Sequence, residues 1–336
     1  MKAVDITSKP PGGERTPIAE LVPLDTPLVV QIFPVYACNF SCKYCTMSIP
    51  GEERGFISDK ISLDTQLFKK CIDDMKQFPR KIKVLRFVGM GEPLLHPSIA
   101  SMIKYASEAE IFERIELLTN GFWLTPGMSA SLVTAGLTHL LVSIQGTSAE
   151  KYLEISQVDI NFDVLLKNLK YLYERRGNTK VHIKIADCAL EDDMDKLRFY
   201  NLFGDKCDTI GIERIGPIHK GVKFNKELAT DKINQYGAPS AKLNICSQPF
   251  YTMQVNPDGN VVPCYSIEYP DIIGNCKNES LVDIWNGEVF RQFRYDMLGG
   301  IQDVSKECIA CTIFKHRAYA GDDLSSKIEE LKEFYS

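Results

Sequence analysis

The chain has 336 residues, 44% hydrophobic and 25% charged, the proportions of an ordinary globular protein. Its formal net charge of −5 offers no basic field for nucleic acid. No apolar run reaches membrane-spanning length, because Gln31 interrupts the best candidate, Leu28–Val35. The polar start, MKAVDITSKPPGGERTP, lacks the apolar centre of a secretory signal, so a cytoplasmic location is expected, with neither nucleic-acid nor membrane partner.

Residues 1–27 are polar and rich in Pro and Gly, and read as an arm or cover. From Leu28 onward, β-branched apolar runs alternate with amphipathic ones. Strands are expected at Leu28–Val35, Lys83–Gly89, Arg114–Thr119, His139–Ile144, Val181–Ala186 and Thr209–Ile215. Helices such as Thr65–Lys76, Ser98–Ala109 and Phe162–Arg175 lie between them. Six β–α units imply parallel pairing with right-handed crossovers. The span is too short for an eight-unit barrel of roughly 250 residues. The expected fold is α/β, a partial (β/α)6 TIM barrel over residues 28–220.

The rhythm then changes. Asp258-Gly259 between Tyr251–Val255 and Asn260–Pro263 is a strong hairpin signal. A helical stretch, Ser280–Met297, follows, and then Cys308-x2-Cys311. Residues 221–320 therefore read as a smaller cysteine-bearing domain, and 321–336 as a charged C-terminal surface helix.

Eleven cysteines in a reducing compartment read as metal ligands or reactive thiols before disulfides. Cys38, Cys42 and Cys45 form C-x3-C-x2-C directly after the first expected strand. At that place a β/α barrel carries its chemistry. One short loop thus supplies three thiolates and only three. An iron–sulfur cube held by three protein sulfurs keeps one iron open for a small ligand. Structural zinc, the alternative, wants four closed ligands.

This motif resembles that of the radical S-adenosylmethionine (SAM) superfamily. The resemblance implies that the open iron chelates the SAM amino and carboxylate groups, and that reductive cleavage yields a 5′-deoxyadenosyl radical. A flavodoxin- or ferredoxin-type reductant is implied as partner. Tyr44 matches the family's aromatic position near the adenine. Gly89-Met90-Gly91-Glu92-Pro93 resembles the GGEP-type segment that holds the methionyl ammonium, with Met90 where many relatives have Gly. Val142-Ser143-Ile144-Gln145-Gly146 resembles a further family segment, which makes Ser143 a candidate SAM contact. Period-2 alternation puts His139, Leu141, Ser143 and Gln145 on one face. His182, Lys184 and Cys188 share a face on the next strand, with Lys184 a further cofactor-binding candidate. Thr119 and Asn120 end the third strand in a similar position.

Cys246 and Cys264 bracket the Asp258-Gly259 hairpin, and with Cys308 and Cys311 they make four thiolates. The set resembles the SPASM/Twitch extension of radical SAM enzymes, as do Ile273-Gly274-Asn275 and Asp283-Ile284-Trp285-Asn286. With no cysteine after Cys311, the shorter Twitch form is expected, giving two [4Fe–4S] clusters in all. A four-cysteine zinc ribbon is the alternative.

Three outcomes follow hydrogen abstraction in the family: oxidation through the auxiliary cluster, quenching by a thiol hydrogen, or capture in a new bond. Sulfatase-maturing relatives carry an aspartate just after the second extension cysteine. Here that position is Tyr265, a poor base with a reference pKa of about 10. Glu213, Arg214 and Asp271 are other candidate bases, Arg214 foremost. Cys276, in a loop expected to face the barrel mouth, is the leading candidate hydrogen donor, with Cys188 second. The expectation is an epimerase acting on an alcohol carbon of a sugar or aminocyclitol. Dehydrogenation, or modification of a peptide, is the alternative. The 27-residue arm is short for a peptide-recognition domain.

Overall fold

The computed structural model describes residues 3–7, 9, 16–54, 58–215, 222, 233–237, 239–241, 243–265 and 269–336. The expected domain boundary at 220/221 lies outside them. A two-residue strand, β1 (Val4–Asp5), precedes the six expected ones: β2 (Val29–Ile32), β3 (Ile82–Phe87), β4 (Phe112–Thr119), β5 (His139–Ile144), β6 (Lys180–Ala186) and β7 (Thr209–Glu213). Helices α1 (Thr65–Met75), α2 (Ile99–Glu108), α3 (Pro126–Thr134), α4 (Ala149–Ser156), α5 (Phe162–Arg175) and α6 (Asp193–Phe203) alternate with them. Side-chain caps start several of these helices, as where Asp64 accepts from the Gln66 and Leu67 amides at 2.9 Å.

Strands β2 to β7 pair in parallel, each with its neighbour in sequence. Alternation then sorts the side chains. On β3, Leu85 and Phe87 enter the core under α1 and α2, where Phe68 and Met102 are fully buried, while Val84 and Arg86 point inward. Residues from β2 through β8 line one inner cavity, so the sheet curls into a partial barrel. The fold class read from the sequence is the one observed.

The hairpin β8 (Thr252–Val255) and β9 (Asn260–Val262) does not stand apart. β8 pairs in parallel with β2, Val29 opposite Thr252, and β10 (Gly274–Asn275) extends β9. One ten-stranded sheet, ordered β1-β7-β6-β5-β4-β3-β2-β8-β9-β10, therefore carries both cysteine sets. The helical stretch expected at Ser280–Met297 is two helices, α7 (Leu281–Asn286) and α8 (Glu288–Met297). Gly287 breaks it with extended backbone at ψ 158°. Short helices α9 (Lys306–Ala310) and α10 (Thr312–Arg317) present the last two cysteines.

Both termini are built in. In the arm, β1 pairs with β7, and Thr16, Ile18 and Leu21 close the floor of the cavity. The final helix, α11 (Ile328–Tyr335), is amphipathic rather than simply a surface helix. Its Leu331 and Tyr335 are buried, and Tyr335 meets Phe250 at 5.8 Å between ring centroids.

Candidate active site

The loop after β2 carries Cys38, Cys42 and Cys45 at the C-terminal edge of the barrel. It is pinned to α4, the Ser41 amide donating to the Ser156 carbonyl at 3.0 Å and the Lys43 amide to Ile155 at 2.9 Å. Buried Phe40 anchors it against Phe122 and Tyr152. N–H groups are aimed at sulfur: the Phe40 amide lies 3.4 Å and Asn120 Nδ2 3.9 Å from Cys38 Sγ. Burial pushes the Cys38 thiol up to about 11, and burial, reinforced by Cys45 and Cys38, lifts Cys42 well above the usual thiol range. Three crowded thiols that repel one another's charge want a cation, and donors facing sulfur suit thiolate ligands. The residues fit a three-thiolate cluster.

Gly89-Met90-Gly91-Glu92-Pro93 leaves the end of β3 beside this loop. A Cβ at Gly91 would lie 2.3 Å from the Val35 carbonyl oxygen and 2.7 Å from that of Ala37, so only glycine permits this approach. The Glu92 amide donates to Ala37 at 2.8 Å, and Thr46 Oγ1 donates to Met90 Sδ at 3.3 Å. The Glu92 side chain is not open to a ligand. It is 2% exposed, and accepts from the Leu94 amide, Thr119 Oγ1 and the Asn120 amide. Its carboxylate ties β3 to β4, which leaves the main chain of the segment as the part able to meet a ligand. Pro93 is buried in the turn that follows.

The Tyr44 hydroxyl donates to Gln145 Oε1, and Cys42 Sγ donates to the same oxygen at 3.6 Å. Gln145 thus links the cysteine loop to β5. Ser143, two residues earlier, is half-buried and in register with Lys184 on β6. Lys184 is held by Glu213 at 2.7 Å inside the barrel. The same pairing corrects the expectation for Arg214. It is Glu213 that lines the cavity, while the Arg214 amide donates to the Gln235 carbonyl and the Arg214 carbonyl faces His316 Nε2. Asp271 is exposed and accepts from the Ile272 amide, which removes it as an internal base.

Cys276 is also placed differently from expectation. It is fully buried, its amide donates to Gly259 at 2.8 Å, and its thiol hydrogen-bonds with that of Cys71 on α1. Both sulfurs belong to the core between helix and sheet, not to the mouth. Cys188 stands just after β6, within electrostatic reach of Tyr44, and burial followed by Asp187 pushes its thiol up to about 12.

The second set borders a single cavity. Cys246, Cys264, Cys308 and Cys311 line one small cavity of about 30 Å³ with Pro249, Phe293 and Met297. Burial first, and then the other three thiols, raise Cys246 far above its ordinary value. The Phe314 amide faces Cys311 Sγ at 3.4 Å. Four thiolates with apolar walls fit a closed cluster.

The barrel lumen holds a cavity of about 290 Å³, whose lining includes none of Cys38, Cys42 and Cys45. Gln248 and Phe314 belong to its wall and to that of the four-cysteine site. Tyr265, next to Cys264, meets Phe33 at 5.8 Å and lies within electrostatic reach of Cys45. Inside, Glu116 pairs with Arg86 at 2.7 Å and with Arg114 at 3.3 Å. Burial alone would raise the Glu116 carboxyl, but the two guanidiniums more than offset it and hold it below the usual range. Burial and then Lys184 depress His182 to about 4, so its ring is neutral, Nδ1 facing Thr209 Oγ1 at 2.9 Å.

Sequence reasoning missed Arg86, Glu116, Tyr236 and Arg317 in this lumen. Arg86 and Glu116 were within reach, as charges at inward positions of expected strands. Arg317, at the end of a one-turn helix, gave no signal.

The comparisons agree with this arrangement. Residues 32–186 match the Radical SAM superfamily and residues 246–312 match SPASM, an iron-sulfur cluster-binding domain. The chain carries a radical SAM domain and a SPASM domain. It is similar to the AdoMet-dependent heme synthase of Methanosarcina barkeri, 25% identical over 86% of this chain and 92% of the relative. Among solved structures, SuiB of Streptococcus suis bound to S-adenosylmethionine superposes with a TM-score of 0.63 at 16% identity, over 87% of this chain and 72% of that one. BtrN in complex with AdoMet and 2-DOIA gives 0.52 at 17%, over 85% and 92%. A radical SAM domain implies SAM and a [4Fe–4S] cluster, and a SPASM domain implies further iron–sulfur binding. Among the described residues no helix is long and apolar enough to cross a membrane.

Proposed function

We propose that this radical SAM enzyme oxidises a small polar substrate by two electrons inside the barrel lumen. Cys38, Cys42 and Cys45 would hold the SAM-binding cluster, with the main chain of Gly89–Pro93 and Ser143 beside it. Cys246, Cys264, Cys308 and Cys311 would hold the second cluster. When bound, these groups would supply hydrogen-atom abstraction and one-electron acceptance.

The observation that carries the reading is the composition of the lumen wall. None of the eleven cysteines lines it among the described residues, whereas Gln248 and Phe314 are shared with the four-cysteine site. A substrate radical formed there has an electron acceptor behind one wall and no thiol hydrogen in front of it. Glu213, ionised beside Lys184, is placed to take the proton that leaves as the substrate is oxidised.

Redox-neutral epimerisation is the second reading, favoured by the position of Cys188 at the mouth. In that case Cys188, not Cys276, would return the hydrogen. A double variant separates the two readings. With Cys308→Ala and Cys311→Ala, iron should fall from about eight to about four per chain, and SAM should still be cleaved to 5′-deoxyadenosine. The oxidised product should disappear from incubations with a cellular small-molecule fraction. Product at the wild-type level would contradict oxidation through the SPASM site.

A further inference from the structure

The two ligand sets take seven of the eleven cysteines, and four remain. Cys188 follows β6, and Cys207 is buried, its thiol donating to the Phe203 carbonyl at 3.4 Å. The last two, Cys71 and Cys276, meet each other, although one belongs to α1 and the other follows β10. Both are fully buried in the same core cluster, and their thiols share a hydrogen bond.

The contact belongs to a built seam. Leu67, Lys70, Cys71 and Asp74 recur at helical spacing and form one stripe of α1. Leu67 Cδ2 packs on Gly259, 3.3 Å from where a Cβ would stand there. Lys70 Nζ pairs with Asp74 at 2.8 Å and donates to the Glu279 carbonyl at 2.9 Å. The Leu281 amide donates to Asp74 Oδ2 at 3.2 Å. The stripe thus joins the barrel to residues 259–281 of the SPASM region. Two sulfurs in hydrogen-bond contact need only close to about 2.05 Å to become a disulfide, a movement of the order that side-chain rotation supplies. The hydrogen bond from Cys71 holds the Cys276 thiol below its ordinary value against burial, with the Lys70 ammonium assisting, so Cys276 ionises first. The same bond, and then burial, raises Cys71. The Lys70–Glu279 bond is open to solvent and residues 277–279 are exposed, so opening of that turn alone reaches the thiols.

We propose that Cys71 and Cys276 are a modification site, which a low-molecular-weight disulfide oxidises to one intramolecular bond between α1 and the SPASM hairpin. The Cys276 thiolate attacks one sulfur of the reagent RSSR, breaks its S–S bond and expels RS⁻, which takes up the Cys276 proton as RSH. The Cys71 sulfur then displaces the second RS⁻ from the mixed disulfide, and its proton leaves with it. Two protein thiols lose two hydrogens, and one RSSR becomes two RSH. The linked form holds the four-cysteine region against the barrel when the surrounding thiol pool turns oxidising.

The test treats the anaerobically reconstituted full chain with 2-hydroxyethyl disulfide, a small neutral reagent. Free thiols are then blocked with N-ethylmaleimide under denaturing conditions, and the digest is mapped by mass spectrometry. A peptide pair joined through Cys71 and Cys276 should appear while iron stays at about eight per chain, and dithiothreitol should remove the link. Cys207, as deeply buried but without a neighbouring sulfur, should react roughly tenfold more slowly or not at all. In Cys71→Ser, Cys276 should retain the reagent as a mixed disulfide, because the resolving sulfur is gone. Iron content and 5′-deoxyadenosine formation establish that this variant is folded and loaded. Recovery of both wild-type cysteines as free thiols, a link that forms only in step with iron loss, or oxidation of Cys207 at the same rate would each overturn the proposal. So would a mixed disulfide that persists on wild-type Cys276, or an unmodified Cys276 in Cys71→Ser.

Discussion

Replacing Cys276 by alanine should cost stability and leave chemistry intact. The thiol is fully buried in the core cluster and faces Cys71. Removing its sulfur forfeits about 1 kcal/mol of apolar transfer, since the atom is comparable to a methylene. A cavity term of similar size adds to this where α1 and the sheet cannot collapse, for a total of about 1–2 kcal/mol. The thiol–thiol hydrogen bond adds little, because S–H is a weak donor. Thermal unfolding of the reconstituted protein should fall by a few degrees at most. The yields of 5′-deoxyadenosine and of product should match wild type. Cys71→Ala should behave alike, and the double variant should lose less than the sum, because the two thiols share one contact. A variant that forms 5′-deoxyadenosine normally yet makes no product would refute the reasoning and return Cys276 to the site.

Stability without SAM should fall as pH rises from about 4.5 toward neutrality because of Glu92. Burial pushes its carboxyl up to about 7 from an ordinary 4.5, against the pull of three hydrogen-bond donors. A group whose folded pKa is raised stabilises fully below its unfolded value and loses that contribution as pH passes the folded one. The loss therefore spans about pH 4.5 to 7, with an upper bound of about 3 kcal/mol. Glu92→Gln should give a flatter and lower denaturation profile, since its amide opposes the Asn120 N–H; an unchanged slope would show Glu92 is not the source. Gly91→Ala should drive the cysteine loop off β3, dropping bound iron from about eight toward about four per chain and weakening SAM binding; wild-type iron and SAM affinity would contradict the contact. Glu213→Gln should slow product formation more than 5′-deoxyadenosine formation, by roughly 10²-fold or more if Glu213 is the proton acceptor; equal rates would leave it as the partner of Lys184 alone.

The sequence made legible whatever is local and periodic. Six strands could be placed because each carries its own β-branched run, and the cysteine sets because ligand spacing is a local matter. Alternation put Lys184 on an inward face, and it lines the lumen. The same alternation on β7 puts Glu213, not Arg214, on the inward face. The joining of β8 to β2 could not be read, because pairing across more than two hundred residues leaves no trace in either strand. Cys276 failed for a related reason. Its loop was assigned to the mouth by resemblance, yet its side chain is turned by the β9–β10 pairing toward α1, where Cys71 waits. Arg317 belongs to the same class, since only the folded barrel shows that it lines the lumen.

The destination of the second electron decides the reaction type. The direct measurement is an anaerobic incubation of the reconstituted enzyme with SAM, dithionite and a cellular small-molecule fraction in D2O, read by mass spectrometry for SAM-dependent conversions. Two-electron oxidation predicts a product two hydrogens lighter than its precursor, with no solvent deuterium on carbon. A product carrying one deuterium, at an otherwise unchanged composition, would contradict it and place a thiol hydrogen in the reaction.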